Sequence, residues 1–186
     1  MIDPWEMLEK AHLRGQEQAS GQLSLSLNIR PRCQNSHRRT KPMNQDNAVA
    51  EALAEKVRAG QIKALSIKQP YPHHIFHDGK DVENRDWPTR GRGWFIIHAG
   101  VSKSELADSQ MDLPRGGIVG MARIVDCVTE MDSHWFFGKF GFVLRDAFPV
   151  PLIPCKGQLG FFVPSADALE TLAQCLAQRV DEGGVS

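Results

Sequence analysis

Net charge is missing from this sequence: 22 Lys and Arg are balanced by 22 Asp and Glu among 186 residues. Zero net charge speaks against a protein held to nucleic acid chiefly by bulk positive charge. Paired cysteines are missing too. Cys33, Cys127, Cys155 and Cys175 lie far apart with no CxxC pair, which points to neither a disulfide framework nor a Cys-rich zinc site. No stretch approaches the roughly 20 apolar residues that cross a bilayer, and the first thirty residues lack the compact apolar run of a signal peptide. The expectation is a soluble, cytoplasmic protein with no membrane partner. Aromatic side chains are scarce at both ends: apart from Trp5, all of them fall between Tyr71 and Phe162. The core is therefore expected in that interval, and the length suits one domain of roughly 100 to 150 residues with extensions.

Four segments follow from composition. Residues 1–45 are rich in Gln, Ser, Asn and Arg, a composition that buries too little surface to offset the entropy of ordering and reads as a disordered extension. Within it Leu23, Leu25, Leu27 and Ile29 alternate as in a strand, and Arg30, Arg32, Arg38, Arg39 and Lys41 form an acid-free basic run. The run reads more readily as a solvated tail than as a phosphate-following arm. Residues 46–62 carry Val49, Ala52, Leu53 and Val57 at helical spacing with Gly60 as a stop, a short linking helix. Residues 63–163 break into short β-prone runs near 63–67, 81–85, 94–98, 117–128, 141–144 and 159–163. One helical turn is expected after Pro70, and a helix near Ser102, where Ser102 and Glu105 have capping-box spacing. Residues 164–186 end in a helix from about Asp167 to Val180, with Leu169, Leu172, Ala173, Leu176 and Val180 on one face. The fold class expected is α+β, a small, mostly antiparallel β-barrel with flanking helices, whose ligands would sit in a cleft at its rim.

The stretch with the most chemistry is Ala64-Leu65-Ser66-Ile67-Lys68-Gln69-Pro70-Tyr71, followed by Gly79-Lys80-Asp81-Val82-Glu83-Asn84-Arg85-Asp86-Trp87-Pro88-Thr89. It resembles the ASCH domain family of the PUA-like superfamily. That family's signature runs GxKxxExR; Lys80, Glu83 and Arg85 match its last three positions, while Asp78 stands at the glycine and Gly79 is displaced by one. The LSIKQP opening, Trp87-Pro88-Thr89, Ile97-His98-Ala99 and Lys156-Gly157-Gln158-Leu159-Gly160 extend the resemblance over residues 63–163. It implies a PUA-like barrel with a cleft beside the signature and a role in binding RNA or another nucleic acid.

Physical chemistry makes the same residues interesting. In a regular strand Glu83 and Arg85 share a face and Lys80 falls on the other parity, so the three converge only if the Gly79 turn breaks the alternation. Converged, Arg85 would hold Glu83 ionised while Lys80 met a phosphate or a base carbonyl. The bland alternative is a surface ion-pair network that only pins the strand. Trp87, in a Pro-containing turn between charges, and Tyr71 are candidate stacking rings, whereas Trp94 and Phe95 open an apolar run and read as core. Arg90 and Arg92 add positive charge on the next loop. Lys68 and Gln69 offer a phosphate contact and a base-edge hydrogen bond. His98 is either a donor in the cleft or a satisfied buried histidine. His73, His74 and His77 share helical spacing, but no third ligand has obvious spacing, so neither a metal nor any other cofactor is expected.

Two function classes remain. The first is a binding module for RNA, single-stranded nucleic acid or a nucleotide-like ligand, using Lys68, Gln69, Lys80, Glu83, Arg85, Trp87, Arg90, Arg92 and His98. The second is a hydrolase. Some small ASCH proteins are similar to amidohydrolases that deacetylate N4-acetylcytidine with a catalytic Lys and a Thr three residues later, and others are associated with RNA cleavage. This chain keeps the Lys as Lys80 and has Glu83 in place of the Thr, which favours binding; in an enzyme, Lys80 would stabilise negative charge and Glu83 would move protons.

Overall fold

The structure is a computed structural model that describes residues 45–104 and 106–181. The Leu23 to Ile29 alternation, the basic run from Arg30 to Lys41, Glu105 and the side chain of Val180 lie outside the described residues. In chain order the elements are α1 (Gln45–Arg58), β1 (Ala64–Ile67), α2 (Tyr71–His77), β2 (Val82–Arg85), β3 (Gly93–Ala99), a 3-10 turn (Asp108–Gln110), β4 (Gly117–Val128), β5 (Phe140–Pro154), β6 (Phe161–Phe162) and α3 (Ala166–Asp181). The strands form one sheet in the order β2-β5-β4-β3-β1-β6. Among the described residues only β1 and β3 run parallel; every other neighbouring pair is antiparallel.

Strand parity divides the core in two. Ala64, Ile96, Ile118, Met121 and Val150 share a cluster with Ala54 and Val57 of α1 and Leu169, Leu172 and Leu176 of α3, so both long helices cover that face. Leu65, Ile67, Phe95, Ile97, Ile124 and Phe142 alternate with these residues and pack with Ile75 of α2 and Trp87. Each such side chain removed from water contributes roughly 1.5–3 kcal/mol. Truncating Phe142, which is wholly buried at the centre of the second cluster, should cost about 3–5 kcal/mol.

The sheet curls into a half-barrel, an α+β fold with a partial barrel. Its edge strands β2 and β6 share no backbone pairing, yet side chains reach across the gap. Trp87, just beyond β2, meets Phe161 of β6 edge-on with ring centroids 5.6 Å apart. Arg85 Nη2 of β2 donates to the Ser66 carbonyl of β1 at 2.8 Å. The open side is thus a seam held by side chains, and the signature segment forms one lip of it.

Three local expectations need correction. No helix starts at Ser102: Ser102 Oγ accepts from the Ser104 amide at 3.3 Å and bonds the Ser104 hydroxyl, a local turn that competes with helix formation. Beyond it, among the described residues, only the 3-10 turn forms before β4. The strand expected over 141–144 is instead the fifteen-residue β5. Pro149, Pro151 and Pro154 argue against so long a strand in sequence, but β2 pairs only with Phe140–Val143, so the proline-bearing half lies on an open edge where no amide is needed. β6 is correspondingly shorter than expected, two residues.

Candidate functional site

Gly79 sits at φ +69°, a left-handed turn that an L side chain would resist. The Lys80 amide donates to the His74 carbonyl at 3.0 Å, fastening this turn to the end of α2. The turn breaks strand alternation before β2 begins. Lys80 is consequently folded inward, 2% exposed, and its ammonium donates to the Val82 carbonyl. Around it stand the rings of Tyr71, Trp135 and Phe137, with centroids 5.4, 5.6 and 6.0 Å from Nζ. Rings at this distance attract a cation through their quadrupoles, more so where water is excluded.

Glu83 and Arg85 share the next face of β2. Glu83 is 6% exposed and its Oε1 lies 3.0 Å from Arg85 Nη2, the same nitrogen that reaches Ser66. Burial pushes the Lys80 amine below the ordinary lysine range; the charges of Glu83 and Asp81 oppose the shift and that of Arg85 adds to it. All three signature residues therefore act on one spot electrostatically. Among the described residues, two buried donors there find no acceptor, Arg85 Nε and Trp135 Nε1. Unsatisfied buried donors are uncommon because each costs about 1–3 kcal/mol.

The loop between β4 and β5 that brings Trp135 and Phe137 is strapped to β2 by polar side chains. Ser133 Oγ donates to Asp81 Oδ1 at 2.7 Å, Asn84 Nδ2 donates to the Trp135 carbonyl and the Phe137 amide donates to Asn84 Oδ1, both at 2.8 Å. Sequence reasoning missed Trp135, Phe137 and Ser66. The available signal was the run Trp135-Phe136-Phe137, three aromatic residues in a loop rather than in a strand.

The other sequence candidates divide. Lys68 is exposed where the chain leaves β1, beside Ser66. Gln69, 2% exposed, is occupied by framework contacts: its Nε2 donates to the Pro114 carbonyl at 2.9 Å and its Oε1 accepts from the His73 amide at 3.3 Å. Trp87 is no open stacking platform, because the apolar seam takes its ring: it meets Phe142 and Phe161 edge-on. Arg92 pairs with Asp126 at 2.7 Å and caps the Thr89 and Gly91 carbonyls, away from Lys80. Arg90 is exposed on the same loop.

His98 realises the second of its two readings. It is 2% exposed; Nε2 donates to the Cys155 carbonyl at 3.1 Å, and Nδ1 shares a hydrogen bond with the Ser66 hydroxyl at 3.2 Å. Gly157 lies against this pair, and a Cβ there would come within 2.5 Å of the imidazole. In α2, the His73 and His77 rings lie 4.7 Å apart while His74 bonds Asp78 at 2.6 Å. Among the described residues no group of three His, Cys, Asp or Glu is arranged to hold a metal ion, and no helix is long and apolar enough to cross a membrane. No protein-family model matches the chain, and no curated protein is similar enough to it to count as a match.

Proposed function

We propose that the half-barrel is an ASCH-like, PUA-type domain that binds RNA or a nucleotide-like ligand at its seam, with Lys80, Glu83, Arg85 and Trp135 as the recognising groups and Lys68 at the rim. One observation carries this reading: a buried Lys80 and Glu83 stand together beside two buried donors without acceptors, Arg85 Nε and Trp135 Nε1. Burying charge and orphaned donors costs stability that a purely structural seam would avoid with apolar residues. A base supplies carbonyl acceptors for the donors and a flat face for the rings. The near-neutral charge of the domain, twelve basic against eleven acidic residues over 63–163, suits selective capture of one or a few nucleotides rather than adhesion to a phosphate backbone.

The test compares the wild-type protein with Lys80→Met in binding a short labelled RNA at two salt concentrations. Saturable, salt-sensitive binding that weakens about tenfold or more in the variant is expected. Binding that is equal in both proteins would remove Lys80 from the site.

A second reading, hydrolysis of a modified nucleoside such as N4-acetylcytidine or of RNA, is favoured by one feature: a lysine held below its ordinary pKa beside a buried carboxylate. In the deacetylation Glu83 would take a proton from water as its oxygen attacks the acetyl carbonyl. Lys80 would stabilise the oxyanion, and the proton would pass to the departing cytidine amine. Conversion of N4-acetylcytidine to cytidine by wild type and not by Lys80→Met would put this reading in place of the first.

A further inference from the structure

A second cleft opens at the other end of the β1 and β3 pair. Ser66 and His98, in register near the C-terminal ends of these parallel strands, border the seam; the cleft lies instead where the strands begin, around Lys63 and Trp94. Its volume is about 320 Å³, and Trp94, Phe95, Ile124 and Phe161 give it apolar walls. Two cations line it. Arg92 is held by Asp126 Oδ1 and by the Thr89 and Gly91 carbonyls through Nη1 and Nη2. Lys63 is exposed, and among the described residues its ammonium meets no acid and no acceptor. Arg90 is exposed on the same loop, and Asp126, kept ionised by the Cys127 amide and Arg92, is the acid that faces Arg92. No side chain projects from Gly91, on the loop that borders the cleft, or from Gly93, where β3 begins.

A pocket of this size stands at the small end of ligand sites, which run from roughly 300 to 1,000 Å³. It fits one ring system and one polar group. Apolar and aromatic walls select the ring, and an unpaired lysine beside a braced guanidinium selects an anion. We propose that this cleft binds a small ligand made of a flat ring and an anionic group, with nucleoside monophosphates the best-matched class. The inference is independent of the reading of the Lys80 seam, and the two sites carry separate reporters: Trp94 lines the cleft and Trp135 lies beside Lys80.

The test is a titration of the full chain, labelled with 15N, with adenosine 5′-monophosphate, following the indole N–H signals; Trp94→Phe assigns the reporter. The expected result is a saturable shift of the Trp94 signal, with affinity about tenfold weaker in Lys63→Glu, the size of one charge-assisted contact, and unchanged in Arg58→Gln. Adenosine should bind about tenfold more weakly than its monophosphate, and inorganic phosphate should leave Trp94 unmoved. A 5′-phosphorylated trinucleotide titrated in parallel tells a free nucleotide from a strand end as the source; shifting Trp94 with either supports the site. The proposal is overturned if Trp94 does not shift saturably, if Lys63→Glu binds as wild type does, or if adenosine matches the monophosphate. Movement of Trp135 alone would support the seam and overturn the cleft.

Discussion

Two buried polar groups meet at Ser66 from opposite sides, and they solve the same problem differently. On one side His98 is complete: each ring nitrogen has one partner, and the Ser66 hydroxyl and Cys155 carbonyl are satisfied in return. On the other, Arg85 takes the Ser66 carbonyl and leaves its own Nε without an acceptor, beside a lysine and a glutamate that are almost fully buried. A complete network stabilises its surroundings, whereas an incomplete one among buried ionisable groups costs stability unless something else completes it. The first is the pattern of a fold determinant and the second that of a site.

This contrast can be broken by mutation. The largest effect is expected at His98, where replacement by Ala should cost about 3 kcal/mol or more in urea unfolding, because it opens a cavity and strands two partly buried partners. Gly157→Ala, which drives a methyl toward the same imidazole, should cost about 1–3 kcal/mol by overpacking. Neither should alter ligand contacts at Lys80 in a protein that remains folded. Arg85→Met tests the seam itself: it removes the cation beside Glu83 and the donor to Ser66, and about 2–3 kcal/mol should be lost, at the lower end for a buried pair because Arg85 keeps some exposure.

Lys80→Met should behave oppositely to His98→Ala, with stability unchanged or raised by about 1 kcal/mol or more while RNA binding falls. Its pH dependence sharpens the point. Because burial lowers the Lys80 pKa, the folded protein binds fewer protons than the unfolded chain between that lowered value and the ordinary lysine value. In that window stability contributed by Lys80 rises with pH, and below it the cost of the buried charge is constant. The melting temperature of wild type minus that of Lys80→Met should therefore climb with pH through the alkaline range. A flat difference would show an ammonium that is not desolvated. The smallest effect belongs to the Arg58–Glu170 pair between α1 and α3, whose partners are both about half exposed at 3.0 Å; Arg58→Gln should cost less than about 1 kcal/mol.

How far the sequence led can be read from particular residues. Periodicity located α1 and α3 to within a residue or two, because Leu53, Val57, Leu169, Leu172 and Leu176 recur at helical spacing and one side of each helix faces water. It failed on β5, where proline reads as a strand breaker and only knowledge of which edge is unpaired removes the objection. It failed at Ser102 because a capping pattern says nothing without an apolar face behind it. At the site, the turn at Gly79 was legible in the residue type, and with it the break in strand alternation before β2. Trp135 and Phe137 were not, since their approach depends on Asn84 and Asp81 gripping a loop some fifty positions away. Trp87 and Gln69 were misplaced for a related reason: burial is set by which strands become neighbours, and that is a property of the whole sheet.

The seam has a further consequence, for self-association. An open sheet ends in strands with free amides and carbonyls, a template on which other chains can pair and grow. Here the end strands are short, four residues in β2 and two in β6, and the curl turns them toward each other across Arg85, Trp87 and Phe161, while the edge of β5 that β2 leaves open carries Pro149, Pro151 and Pro154, which offer no amide. The buried charges that burden the folded state therefore also guard it, because a strand arriving from a second molecule would have to pull Arg85 away from Glu83 and the Ser66 carbonyl before forming its first backbone bond.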